Sequence, residues 1–406
     1  MLRLLAPMLV ALLMTSCGEA PPAPATKPAP IVKASPAPMT PPPTMTPPGT
    51  DDLRCDPAFV YLNAVRSEPP ANTDPIATVR VAYQGTALQA LVKRSDAATA
   101  RQDDATISAA LAEAGPGPAI AARYAIDGAL GQWMRHSLKV AAEDKDAAVR
   151  ASAWNEARCV WSQHLRHLGL AVVNHVDTLR SEDTLDDSSV IEVIDLGLTT
   201  GAAAVTADPI DERVLLPARQ TIEKTWYRLV HRELRHHATA ARQTSDPLAA
   251  RRALGLFEML RDRMADKNSP GAAVVTAMLT GPAAAIDPAA VIREVDVALV
   301  KRARKYCSEA LDPKLVGTAA GLASVAEGAA YTRVLMPGLR KLPDFDAAAH
   351  IAAWQAFSEA VGANESPDEL KRLSDELMHW NCAYQQALGI RECTATADEL
   401  AKPAKR

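Results

Sequence analysis

The chain has 406 residues, 48% of them apolar and 23% charged, and its formal net charge is -4. That length allows two or three ordinary domains or one long repeat array. Aromatic residues supply only 4%, so Ala, Leu and Val must build the core, which favours close-packed helices and argues against an all-β fold. The acidic balance gives no global reason to bind nucleic acid, which calls for a basic excess on one face.

Residues 1–16 place one positive charge, Arg3, before a short apolar run that ends in Thr15-Ser16. The pattern predicts a signal peptide, because the run is shorter than the ~20 residues of a membrane-spanning helix. Thr15-Ser16-Cys17 resembles the lipobox of bacterial lipoproteins. The resemblance implies that Cys17 carries a diacylglycerol and acyl modification and becomes the new N-terminus. With Gly18 where an inner-membrane retention signal would have Asp, it also implies a periplasm-facing anchor at the outer membrane. Removal of residues 1–16 takes Arg3 away and leaves a formal charge of -5.

Residues 17–50 then hold the lipidated Cys17 and a linker with 12 prolines between 21 and 50. Such a run cannot pack a core and prefers polyproline II, a semi-rigid spacer of up to ~90 Å at about 3.1 Å per residue. Residues 51–104 read as the N-terminal segment of the folded region, where Ala77 to Tyr83 fits either a short strand or part of a helix.

Over 105–395 apolar residues recur at three and four, which predicts helices at 147–168, 218–242, 290–310, 347–361 and 368–387. Asp287-Pro288 and Ser366-Pro367 are start signals. Gly115, Gly201, Gly281 and Gly362 follow apolar stretches at intervals of 86, 80 and 81 residues, three of them before an Asp-Pro or Ser-Pro step. If each glycine ends a helix in the left-handed conformation, the result is an all-α helical bundle or helical repeat array with a period of about eighty residues. Residues 396–406 read as a disordered tail.

Once Cys17 is acylated, Cys55, Cys159, Cys307, Cys382 and Cys393 remain, an odd number that leaves one thiol over if the others pair. Cys382 and Cys393 flank the turn at Gly389 and are the expected disulfide. The connectivity of Cys55, Cys159 and Cys307 stays open.

Chemical candidates are sparse. Glu233-Leu-Arg-His236 and Glu376-Leu-Met-His379 each place a carboxylate and an imidazole on one side of a helix, a spacing similar to that of ferritin-like di-iron bundles. The setting, a helical lipoprotein, has a loose likeness to the imelysin-like lipoproteins, but no His here has Glu three residues later, so their iron-binding implication does not carry over. A helix with Lys224, Arg228, His231, Arg232, Arg235, His236, His237 and Arg242, and the cluster Lys301-Arg302-Ala-Arg304-Lys305, form a basic face for an anionic partner or a solvated surface. Trp133, Trp154, Trp161 and Trp226 read as core anchors. No nucleophile elbow, zinc-protease motif or phosphate loop occurs.

The expectation is therefore a lipid-anchored cell-envelope protein acting as a non-catalytic binding or structural module, with no resident cofactor beyond its lipid. Its partners would be the membrane, through the anchor, and an envelope protein or anionic polymer, not nucleic acid. A metal-binding bundle of the di-iron type or an unrecognised envelope hydrolase are the alternatives.

Overall fold

A computed structural model describes Cys55, residues 74–169, residues 189–390 and Cys393. Cys17, the proline-rich linker and residues 396–406 lie outside the described residues. Those described belong to a single unit, Leu53–Arg406.

Among them are thirteen α-helices and no strand: α1 Pro75–Tyr83, α2 Ala87–Thr99, α3 Asp103–Ala112, α4 Pro116–Glu143, α5 Ala147–Val160, α6 Val190–Thr206, α7 Glu212–Thr244, α8 Pro247–Lys267, α9 Ser269–Thr280, α10 Pro288–Glu309, α11 Ala319–Leu339, α12 Ala347–Ala363 and α13 Pro367–Ala387. Helix α5 runs into a π-helical turn, Trp161–Leu165. The fold is an all-α helical bundle, and the five helices expected from periodicity are present. Ala77 to Tyr83 lies in α1, capped by Asp74 and started by Pro75. None of these helices is long and apolar enough to cross a membrane.

Local chemistry explains the starts. Asp74-Pro75, Asp246-Pro247, Asp287-Pro288 and Ser366-Pro367 each pair a capping side chain with a proline at the first helical position. The cap oxygen accepts an otherwise orphaned backbone N–H, and proline needs no such bond there. Near Asp208-Pro209 the helix begins later, at Glu212, with Asp211 as cap.

Helix α7 is the hub, with α4, α6, α8, α10 and α11 packed around it. Helices α1, α2 and α3 pack on α4, so the boundary drawn between residues 104 and 105 falls inside α3 and separates nothing. One core follows these helices, and a second lies under α12 and α13 around Trp354, Phe357 and Leu373. Trp154, Trp161 and Trp226 are buried anchors of the first.

The glycine punctuation is corrected by the backbone. Gly115 does have a positive φ, 102°. Gly201, however, lies in the interior of α6, Gly281 caps α9 with φ at -79°, and Gly362 lies within the last turn of α12. Three of the four glycines thus do not end helices in the left-handed conformation, and the eighty-residue period has no repeated cap behind it. Gly201 is required for a different reason: a Cβ there would stand 2.0 Å from the Trp154 ring, whose Nε1 donates to Leu198 O at 2.9 Å. Gly201→Ala should therefore cost roughly 1–3 kcal/mol by overpacking, although alanine is the better helix former. Urea unfolding measures it, and a stabilised variant would refute the packing account.

Two disulfides hold the structure. Cys382 and Cys393 are bonded with their Cα atoms 5.4 Å apart. Cys55 is bonded to Cys159 across 104 residues, at 5.5 Å. The remaining thiol among the described residues, Cys307, is buried, and burial pushes it up to about 12.

Candidate functional site

Every residue of α7 from Ile222 to Leu234 is buried. A helix enclosed on all sides is expected to be apolar, since burying an uncompensated charge is costly. This one carries Glu223, Lys224, Arg228, His231, Arg232 and Glu233. The cost is offset by pairing. Lys224 Nζ lies 2.9 Å from Glu223 and 3.2 Å from Glu327 on α11, and Arg219 lies 3.1 Å from Glu223. Burial alone would raise the Glu223 carboxyl, but Lys224, Arg219 and Arg135 outweigh it and hold the group at about 2.

Two His–Asp pairs are buried nearby. His231 Nε2 is 2.8 Å from Asp296 on α10, whose other oxygen accepts from Tyr384 on α13 at 2.5 Å. His164, in the π-helical turn, is 2.5 Å from Asp127 on α4. Both histidines are only 1% exposed, so each pair cross-links helices instead of facing a substrate.

The basic face expected from sequence is thus mostly an interior. Lys224, Arg228 and Arg232 are buried in α7, and Arg302 and Arg304 in α10. Arg302 pairs with Asp266 of α8 at 2.7 Å, Lys305 with Glu309 at 3.1 Å, and Lys301 donates to Lys267 O. Arg235 is half-buried. Lys224 and Arg302 neutralise carboxylates of other helices, and the buried members of the set are withdrawn from any surface. The metal candidates separate as well. Glu233 is buried, with His237 3.6 Å from it. Glu376 and His379 are exposed on α13, where Glu376 pairs with Arg372. Among the described residues no group of three or more His, Cys, Asp or Glu is placed to hold a metal.

The accessible cations lie elsewhere. A cleft of about 320 Å³ opens beside α4, α7 and α8, lined by Arg101, Arg135, Lys139, Arg219 and Arg263 against only two carboxylates, Glu223 and Asp262. Arg101 is engaged by Asp103 and Asp262, at 2.9 and 2.8 Å. Arg219 is engaged by Glu223 and Glu143, and Lys139 lies 3.8 Å from Glu143.

Arg135 and Arg263 differ from these. Their guanidinium carbons lie 5.4 and 5.6 Å from the Tyr227 ring centroid, so one aromatic ring positions both. Neither has a carboxylate within ion-pair distance among the described residues. Arg135 donates to Gln132 Oε1 at 2.7 Å, and the Nε of each arginine is buried without a hydrogen-bond partner. Behind them Tyr227, Tyr331 and Tyr306 form a column with centroids 6.3 and 6.2 Å apart.

Chemically, the cleft offers two preset guanidinium forks, rigidly backed, to whatever enters. Planar forks match the oxygens of carboxylate and phosphate. Sequence reading named neither arginine, because 128 positions separate them and no local motif surrounds either. Comparison with family models, with curated proteins and with solved structures found no match.

Away from the cleft, His350 on α12 is buried with neither ring nitrogen hydrogen-bonded, and burial holds it down to about 4. A folded value below the ordinary 6.5 means that the neutral form is the one buried. Its stability contribution is complete above about pH 6.5 and is lost as pH falls towards 4. His350→Leu should therefore flatten the stability profile over that interval, and an unchanged slope in urea titrations at pH 4.5 and 7 would contradict it.

Proposed function

We propose that the protein is a bacterial cell-envelope lipoprotein, anchored through acylated Cys17, held off the outer membrane by the residue 21–50 linker, and working as a non-catalytic module that binds an anionic group in the α4–α7–α8 cleft. The observation that supports this reading is the pair Arg135 and Arg263, two stacked guanidiniums at an open cleft without a carboxylate of their own. A cation held in a contact ion pair gains little from a ligand; one with no contact ion pair in a partly desolvated cleft gains more.

The test is calorimetric titration with inorganic phosphate at low salt. Arg135→Gln and Arg263→Gln should each weaken binding about tenfold, the loss of one charge-assisted hydrogen bond, while the helical circular-dichroism spectrum stays that of the parent. Unaltered affinity in both variants would defeat the cleft assignment. The anchor is tested separately: Cys17→Ala should move the protein from the membrane fraction to the soluble one, since acyl chains supply the attachment.

A further inference from the structure

The cleft does not end at its cations. A second cavity of about 290 Å³ adjoins it and shares Arg101 and Gln132 as lining residues. On α4 its lining runs Ala121, Ala125, Gly128 and Gln132, and the cleft continues the same stripe through Arg135 and Lys139. These positions recur at three and four, so they share one side of the helix, over about 27 Å at 1.5 Å per residue. On α8 the lining passes in the same order from Leu254, Gly255 and Met259 to Asp262 and Arg263. One groove therefore lies between α4 and α8, mostly apolar at their N-terminal ends and cationic at the other.

The glycines shape the apolar half. A Cβ on Gly255 would stand 2.4 Å from Tyr124, so that residue keeps the two helices close, whereas Gly128 has only Met259 at 3.5 Å and leaves space above it. Two carboxylates line the apolar half, and both are already engaged: Asp103 by Arg101 and Glu258 by Arg261. At the far end two guanidiniums, Arg135 and Arg263, converge on the Tyr227 ring with no carboxylate within ion-pair distance among the described residues, whereas the apolar half carries a single such cation, the exposed Arg251.

We infer that the occupant of this groove is a single-chain anionic amphiphile, its charged head between Arg135 and Arg263 and its alkyl chain along the apolar trough. The inference rests on the anion-binding reading of the cleft and adds the chain. Two guanidiniums converging on one ring, against the lone exposed Arg251 at the other end, set the head at the α4–α7–α8 cleft, and the shared lining residues make one molecule able to occupy both cavities. The gain for the ligand is additive: the head replaces water at the guanidiniums, and each buried methylene removes apolar surface from water.

Titration calorimetry below the micelle concentration separates the possibilities, with dodecyl phosphate as probe, inorganic phosphate as head alone and dodecyl maltoside as an uncharged chain. Dodecyl phosphate should bind one per chain, at least tenfold more tightly than inorganic phosphate. Gly128→Leu, which fills the trough, should remove that advantage while phosphate binding persists, and Gly128→Ala should keep it, confirming that the helix tolerates a side chain there. Arg263→Gln should weaken both phosphates. Equal affinity for the two phosphates, dodecyl maltoside binding as tightly as dodecyl phosphate, or Gly128→Leu without effect on dodecyl phosphate would each overturn the amphiphile while leaving an anion site standing. If neither phosphate binds, the anion-binding reading falls with it.

Discussion

Lys224→Met is expected to destabilise the protein by about 3–5 kcal/mol at neutral pH, the range for removing one partner from a buried ion pair. Lys224 is 4% exposed and is the cation shared by Glu223 and Glu327. Methionine fills most of its volume, so the loss reports charge and not a cavity. Left behind, Glu223 keeps Arg219, and Glu327 keeps the hydroxyl of Tyr306.

The sign of the pH dependence follows from Glu223. Its folded value of about 2 lies below the ordinary 4.5, so the stability it contributes is present above about pH 4.5 and is lost as pH falls through 2. In Lys224→Met the principal cause of that depression is gone. The deficit against the parent should therefore be largest at neutral pH and shrink in acid, where a protonated Glu223 no longer needs a cation. Glu223→Gln/Lys224→Met should recover part of the loss at pH 7. Urea unfolding at pH 3 and 7 measures all three chains; a single variant within 1 kcal/mol of the parent at pH 7 would show that the network is solvated.

Loss of the Cys55–Cys159 disulfide is the second large effect. It closes a loop of about a hundred residues, for which chain-entropy arguments give up to about 4.7 kcal/mol, against roughly 3 kcal/mol for a loop as short as that between Cys382 and Cys393. Against a total stability of about 5–15 kcal/mol, either loss is substantial. Replacing both cysteines of a pair by serine should lower the urea midpoint in both cases, more for the long loop. The reverse order would mean that the segment around Cys55 contributes little to the bundle. Cys307 should not confuse the comparison. Buried, with its thiol pushed up to about 12, it should react with thiol reagents only after unfolding.

What the sequence by itself determined was local. Apolar residues at three and four placed the helices, because that spacing is a property of a few consecutive turns. Asp287-Pro288 and Ser366-Pro367 marked starts, because a cap and its proline act within three residues. Cys382 and Cys393 were readable as a pair because only a turn separates them. Tertiary structure decided everything that depends on what lies opposite. Lys224, Arg228 and Arg232 have the same spacing on a solvated face as in an interior; they are interior because α10 and α11 bring Asp296 and Glu327 against α7. Gly201 resembles a cap by composition, yet it is held by the Trp154 ring, 47 positions away. Arg135 and Arg263 become one site only where α4 and α8 meet at Tyr227. Periodicity reports how a helix meets its own neighbours along the chain, whereas burial, charge pairing and clefts are set by contacts between distant segments, which leave no local pattern to read.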